Sequence, residues 1–153
     1  MSDENTSLTG LLAEESINLN ATASSKEDAI QQAGEALLAA GAIDASYIDA
    51  MQERERSVST FVGEGVAIPH GTLAGKDSVT KDALVLLRFP EGVDWDGNEV
   101  KIAIGIAAKG NGHIALLSQL ASILLEPEKA EALREATTKD AVYALLASED
   151  EEE

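Results

Sequence analysis

The chain contains no cysteine, which excludes a disulfide framework and any thiolate metal centre. Positive charge is scarce as well: 11 lysines and arginines stand against 28 aspartates and glutamates, a formal net charge of −17 over 153 residues. Nucleic acid needs Lys and Arg to neutralise its phosphates, so a nucleic-acid partner is excluded. Long apolar runs are also missing. No stretch approaches the roughly 18 residues that span a bilayer. The opening Met1-Ser2-Asp3-Glu4-Asn5 is acidic and lacks the basic and apolar pattern of a secretion signal. These absences together give the expectation of a cytoplasmic protein with no direct membrane insertion. Proline occurs three times, at Pro69, Pro90 and Pro127, and each is read as the end of an element.

What is present suits one domain with its own core: 44% of the residues are hydrophobic, an ordinary share for a globular chain. The acidic surplus makes the folded chain repel itself in dilute salt. At molar salt the screening length falls to about 3 Å and most of that repulsion disappears. The composition therefore suggests an acidic surface adapted to a salt-rich cytoplasm, as in halophiles.

Residues 1–15 read as a flexible start with one short helical turn, followed by a weak strand around Ile17 and Leu19. Ser25, with Asp28 three residues on, is a capping signal. The helix after it carries Ile30, Ala33, Leu37 and Leu38 on its buried stripe and ends at Gly41. A second helix starts at Asp44, turns Tyr47, Ile48 and Met51 inward, and finishes in the charged turn Gln52-Glu53-Arg54-Glu55-Arg56. Ala83–Phe89 is a continuous apolar strand, stopped by Pro90-Glu91-Gly92, and Trp95-Asp96-Gly97-Asn98 is a turn. Val100, Ile102, Ile104 and Ile106 alternate along an interior strand that leads into His113, the start of a helix with Leu117, Leu120 and Leu124 inward. Two further helices follow Pro127 and Thr138, and residues 148–153 form an acidic tail. Strands alternating with helices indicate an α/β layered domain, placed at residues 16–147.

The chemistry concentrates in Phe61-Val62-Gly63-Glu64-Gly65-Val66-Ala67-Ile68-Pro69-His70-Gly71-Thr72. Gly63 and Gly65 permit a tight turn, and Val66-Ala67-Ile68 is a short strand. Pro69 removes a backbone donor and ends that strand, so His70 stands where a buried strand leaves the sheet. The ring is expected to be anchored on one side and bare on the other. Phe61, Ile68 and Leu73 are read as an apolar rim around it, and Glu64 is left without a role.

The segments Glu53-Arg54-Glu55, Gly63 to Thr72, Phe89-Pro90-Glu91-Gly92-Val93, and Ile104-Gly105-Ile106-Ala107-Ala108-Lys109 followed closely by His113 agree in order and spacing. In them the chain resembles the enzyme IIA component of the sugar phosphotransferase system, fructose/mannitol class (PTS EIIA type 2). The resemblance implies a mixed β-sheet sandwiched between helices, as in mannitol-type IIA. It implies a phosphocarrier that takes a phosphoryl group from HPr on His70 and passes it to a IIB protein, itself serving the membrane IIC unit. Because the family's next acceptor is typically a cysteine of IIB, IIB and IIC are expected to be separate chains. Arg54 and His113 would stabilise the phosphoryl group, with Gly65, Pro69, Gly71 and Thr72 as the supporting loop. No cofactor and no metal are expected, since two histidines fall short of a convergent ligand set. Two other functions fit the same residues: a regulatory IIA paralogue acting by phosphorylation-dependent protein binding, and a non-catalytic acidic binding module.

The charge reading carries a test. The melting temperature is expected to rise as KCl is raised from about 0.1 M to about 3 M, because screening removes the surface repulsion. An unchanged melting temperature across that series refutes the salt adaptation.

Overall fold

The computed structural model describes residues 12–57, 60–63, 65–70, 79–107 and 126–151, together with 118, 120 and 122–124, and it gives the backbone alone for 147–151. Among the described residues, five strands, β1 (Leu12–Asn18), β2 (Phe61–Gly63), β3 (Val66–Ala67), β4 (Ala83–Trp95) and β5 (Asn98–Ala107), form one sheet in the order β1-β4-β5-β3-β2. The sheet is mixed: β1 runs parallel to β4 and β3 to β5, while β4/β5 and β2/β3 are antiparallel. Four helices are complete among the described residues: α1 (Lys26–Ala39), α2 (Ser46–Ser57), α3 (Pro127–Arg134) and α4 (Lys139–Glu151). None of these helices is long and apolar enough to cross a membrane.

Period-two alternation along β4 divides the core in two. Val85, Leu87 and Phe89 face Ile30, Ala33 and Leu37 of α1 and Tyr47, Ile48 and Met51 of α2. Leu84 and Leu86, with Ile102, Ile104 and Ile106 of β5, face Leu120, Ile123 and Leu124, α3 and α4. Helices therefore cover both faces of the sheet, as the sequence implies. Gly105 lets α1 approach the sheet, where an added Cβ would lie 3.2 Å from Ala33, and Gly34 lets α1 and α2 approach each other, where one would lie 2.6 Å from Ile48.

The helix ends follow local chemistry. The Ser25 hydroxyl accepts the Asp28 N–H at 3.0 Å, and the Asp28 carboxylate accepts the Ser24 N–H at 2.9 Å. That backbone bond holds the Asp28 carboxyl below the usual carboxylate range, against the opposing effect of burial. Gly41 closes α1 with φ of 79°. Asp96 and Gly97, with φ of 57° and 95°, make the two-residue β4–β5 hairpin turn in which both central residues are left-handed.

Several local expectations change. Where the sequence reads as a frayed start with a helical turn, the chain is a strand from Leu12: the α4 side chains Tyr143 and Lys139 bond the carbonyls of Leu12 and Glu14, fastening β1 to the domain. Leu38 is 40% exposed, because Gly34 rather than Leu38 completes the inner face of α1. Pro90 does not end its strand. β4 continues to Trp95 through a register shift between Arg88 and Val93, and a bulge tolerates a residue without N–H. Trp95 is the last residue of β4 and fully buried, so the turn is Asp96-Gly97 alone. The backbone of α4 runs to Glu151, so the acidic run begins inside a helix.

The close contact at Gly34 predicts an unusual mutational sign. Alanine normally favours a helix interior over glycine by about 1 kcal/mol. Here Gly34→Ala is expected to lower the urea unfolding free energy by about 1–3 kcal/mol, since Ile48 must move. An unchanged or raised midpoint contradicts the packing.

Candidate functional site

β3 delivers His70 to the C-terminal end of β5. Val66 pairs with Ile102 and Ala67 with Ala103, and His70 bridges Ile106 in the same parallel sense. Pro69 has no N–H to give, but its carbonyl accepts the Ile106 N–H at 3.0 Å. The buried Tyr47 hydroxyl donates to the Ile106 carbonyl at 2.9 Å. Ile106 is thereby fixed through both of its backbone groups. Ligands of open α/β sheets collect at such strand ends.

The His70 ring is held tightly. Its Nδ1 lies 2.8 Å from the Ile68 carbonyl oxygen. A carbonyl only accepts, so Nδ1 carries the proton, and in the neutral ring the lone pair belongs to Nε2. The residue is only 9% exposed. The ring is therefore more enclosed than the expected half-bare loop histidine, because the β3–β5 ladder reaches one residue past Pro69.

Arg54 occupies the last turn of α2 and is half-buried; Arg56 beside it is exposed. Between them Glu55 is buried, at 5% exposure. Its Oε1 accepts from the Thr60 backbone N–H and hydroxyl at 3.0 and 2.5 Å, and its Oε2 accepts the Trp95 indole N–H at 2.9 Å. The Thr60 carbonyl in turn accepts the Ile68 N–H at 3.0 Å. The end of the Arg54 helix and the strand leading to His70 are thus one hydrogen-bonded unit. Lys26 stands 3.9 Å from Glu55 and 2.8 Å from Asp96. Burial opposes its charge, yet the Asp96 hydrogen bond and charge, with Glu55 and Glu27 beyond, hold the ammonium above the ordinary lysine range.

His113, Gly71, Thr72, Glu64 and Leu73 lie outside the described residues. Gly65, with φ of 74°, shapes the β2–β3 turn, and its carbonyl accepts from Lys101 and Ile102. The pairs Val66–Ile102 and His70–Ile106 are four residues apart, roughly 13 Å at ~3.3 Å per residue, so Gly65 does not flank the imidazole. A cleft of about 290 Å³ lined by Gly65, Glu99, Lys101 and Arg134 belongs to that distant end. Ile68 is 3% exposed and Phe61 packs on the core, so neither forms an open rim. The sequence reading missed Glu55, Thr60 and Trp95. Glu55 was findable: it is four residues after Met51 and seven after Ile48, on the inward face of α2.

The match to known proteins agrees with this geometry. The family profile for the phosphoenolpyruvate-dependent sugar phosphotransferase system, EIIA 2, covers residues 10–149. A mannitol-specific phosphotransferase enzyme IIA component from Staphylococcus aureus is 42% identical over 140 residues, 92% of this chain and 97% of that protein. The crystal structure of IIA mannitol from Escherichia coli superposes with a TM-score of 0.81 at 38% identity, covering 88% of this chain and 97% of the other. The E. coli complex of enzyme IIAMTL with phosphorylated enzyme IIBMTL gives a TM-score of 0.84 at 37% identity over 90% of this chain and 99% of the matched one. With a mixed sheet covered on both faces and a histidine held at the end of its interior strand, the chain belongs to the EIIA type 2 family of the phosphoenolpyruvate-dependent sugar phosphotransferase system.

Proposed function

We propose that this chain is the phosphocarrier between HPr and a IIB component, and that Nε2 of His70 is the atom that carries the phosphoryl group. The observation that supports this most is the Nδ1 contact to the Ile68 carbonyl, which assigns the lone pair of the neutral ring to Nε2. That lone pair attacks the phosphorus of phosphohistidine on HPr. An N–P bond forms at His70 as the donor's N–P bond breaks, and the donor imidazole leaves with the electron pair. The transferring group is loose and in line, with its charge spread over three equatorial oxygens.

Bond formation draws electron density from the His70 ring. The Nδ1–H then becomes a stronger donor to Ile68, so this contact is worth more in the transition state than before it. Arg54 supplies a guanidinium fork to the equatorial oxygens, and His113 supplies a ring N–H and helix-start backbone donors. Transfer onward reverses the same steps toward a IIB acceptor. The mannitol names of the relatives favour mannitol over fructose as the sugar served. Phosphorylated IIB in the matched complex supports IIB as the partner, with IIC reached through it. The carrier works in the cytoplasm, where HPr and the IIB acceptor are both available.

Incubation with phosphoenolpyruvate, enzyme I and HPr is expected to add one acid-labile phosphoryl group to His70, read by mass spectrometry and peptide mapping. His70→Ala is expected to fold and take none. Arg54→Ala is expected to slow acceptance by about 10²-fold, as loss of one oxyanion donor does elsewhere. Histidine-bound phosphate on the His70→Ala chain refutes the assignment.

A further inference from the structure

We infer that Glu55 is a positioning residue for His70: by taking the Thr60 N–H, it leaves the Ile68 carbonyl to the imidazole. The inference rests on His70 being the phosphoryl acceptor. Its ground is an incomplete strand pair. β2 and β3 pair Phe61 with Ala67, so one step outward sets Thr60 opposite Ile68. In a regular antiparallel ladder such a pair exchanges both backbone bonds. Here only half is made: the Ile68 N–H reaches the Thr60 carbonyl at 3.0 Å. The Thr60 N–H turns to Glu55 Oε1 at 3.0 Å, and the His70 Nδ1–H takes the Ile68 carbonyl at 2.8 Å. Without the carboxylate, the Thr60 N–H would return to Ile68 and compete with the ring for the same oxygen.

A carboxylate suits this place because both of its oxygens only accept. One serves the backbone and hydroxyl of Thr60, the other the Trp95 indole. A glutamine amide would present N–H groups to one of those donors and leave that contact unmade. Lys26, 3.9 Å from Oε2, offsets part of the cost of burying the charge.

The test reads His70 directly. In ¹⁵N spectra of the imidazole, the parent is expected to show the Nδ1–H tautomer, and Glu55→Leu a mixture of tautomers. In single-turnover transfer from phospho-HPr, Glu55→Leu is expected to be about tenfold slower, with half-saturation within about twofold of the parent. The double variant Glu55→Gln with Trp95→Phe removes the opposing indole donor, lets the amide oxygen face Thr60, and is expected to restore the ring signature. Should Glu55→Leu not fold, Glu55→Met, which likewise carries no acceptor oxygen, is read in the same way. Parent-like ring spectra and rates in the folded Leu or Met variant overturn the inference, even where stability is lost. A parent chain that accepts no phosphate at His70 defeats the carrier reading instead, and the ring spectra still judge the role of Glu55.

Discussion

The antiparallel pair β4–β5 is the constraint from which the rest of the structure follows. Residues 83–87 of β4 and 102–107 of β5 are buried on both faces, so their register is fixed twice over. A slip of one residue would send Leu84 and Leu86 into the α1–α2 layer and Val85 and Leu87 into the other. Neither layer could absorb the exchange. Gly105 faces α1 with no room for a side chain, and its neighbours Ile104 and Ile106 fill the opposite core. With β5 immovable, its C-terminal end becomes a reference point. Ile106 uses its N–H to hold Pro69 and its carbonyl to hold Tyr47, so the His70 strand and the start of α2 are both measured from one residue.

In the carrier role proposed above, the imidazole must be presented in one tautomer and one orientation. Among the described residues, backbone groups meet much of that demand. The sheet supplies the carbonyl that selects the tautomer, and the last turn of α2 supplies the carboxylate that keeps this carbonyl available. Rigid supports of this kind lower the reorganisation required at the moment of transfer. They also join the Arg54 helix to the His70 strand through hydrogen bonds.

Most of this layout was legible in the sequence, and the exceptions share a cause. The capping signal at Ser25, the stop at Gly41, the inward face of α2 and the two-sided burial of β4 are local patterns, and the structure follows them. Pro90 and Leu12 departed because tertiary contacts decided them: a bulge accepted the proline, and α4 fastened a segment with little pattern of its own. Gly65 shares with His70 the motif that the resemblance turns on, yet an extended strand carries neighbours apart quickly. Glu55 was hidden in a run of charges that reads as a solvated helix end. Its helical position, in line with Ile48 and Met51, was the signal that composition concealed.

The placement of that carboxylate also bears on how an acidic protein keeps its site intact. Surface charges respond to the ionic medium, and the exposed side of the Lys26–Asp96 contact weakens as salt rises. Glu55 does not depend on the medium to the same degree. Its main partners are N–H and O–H dipoles at hydrogen-bond distance inside the core, where mobile ions do not enter. Among the described residues of this acidic chain, Glu55 is the carboxylate committed to the interior, where dipoles rather than counter-ions satisfy it. The orientation of the His70 ring is set by contacts that salt reaches least.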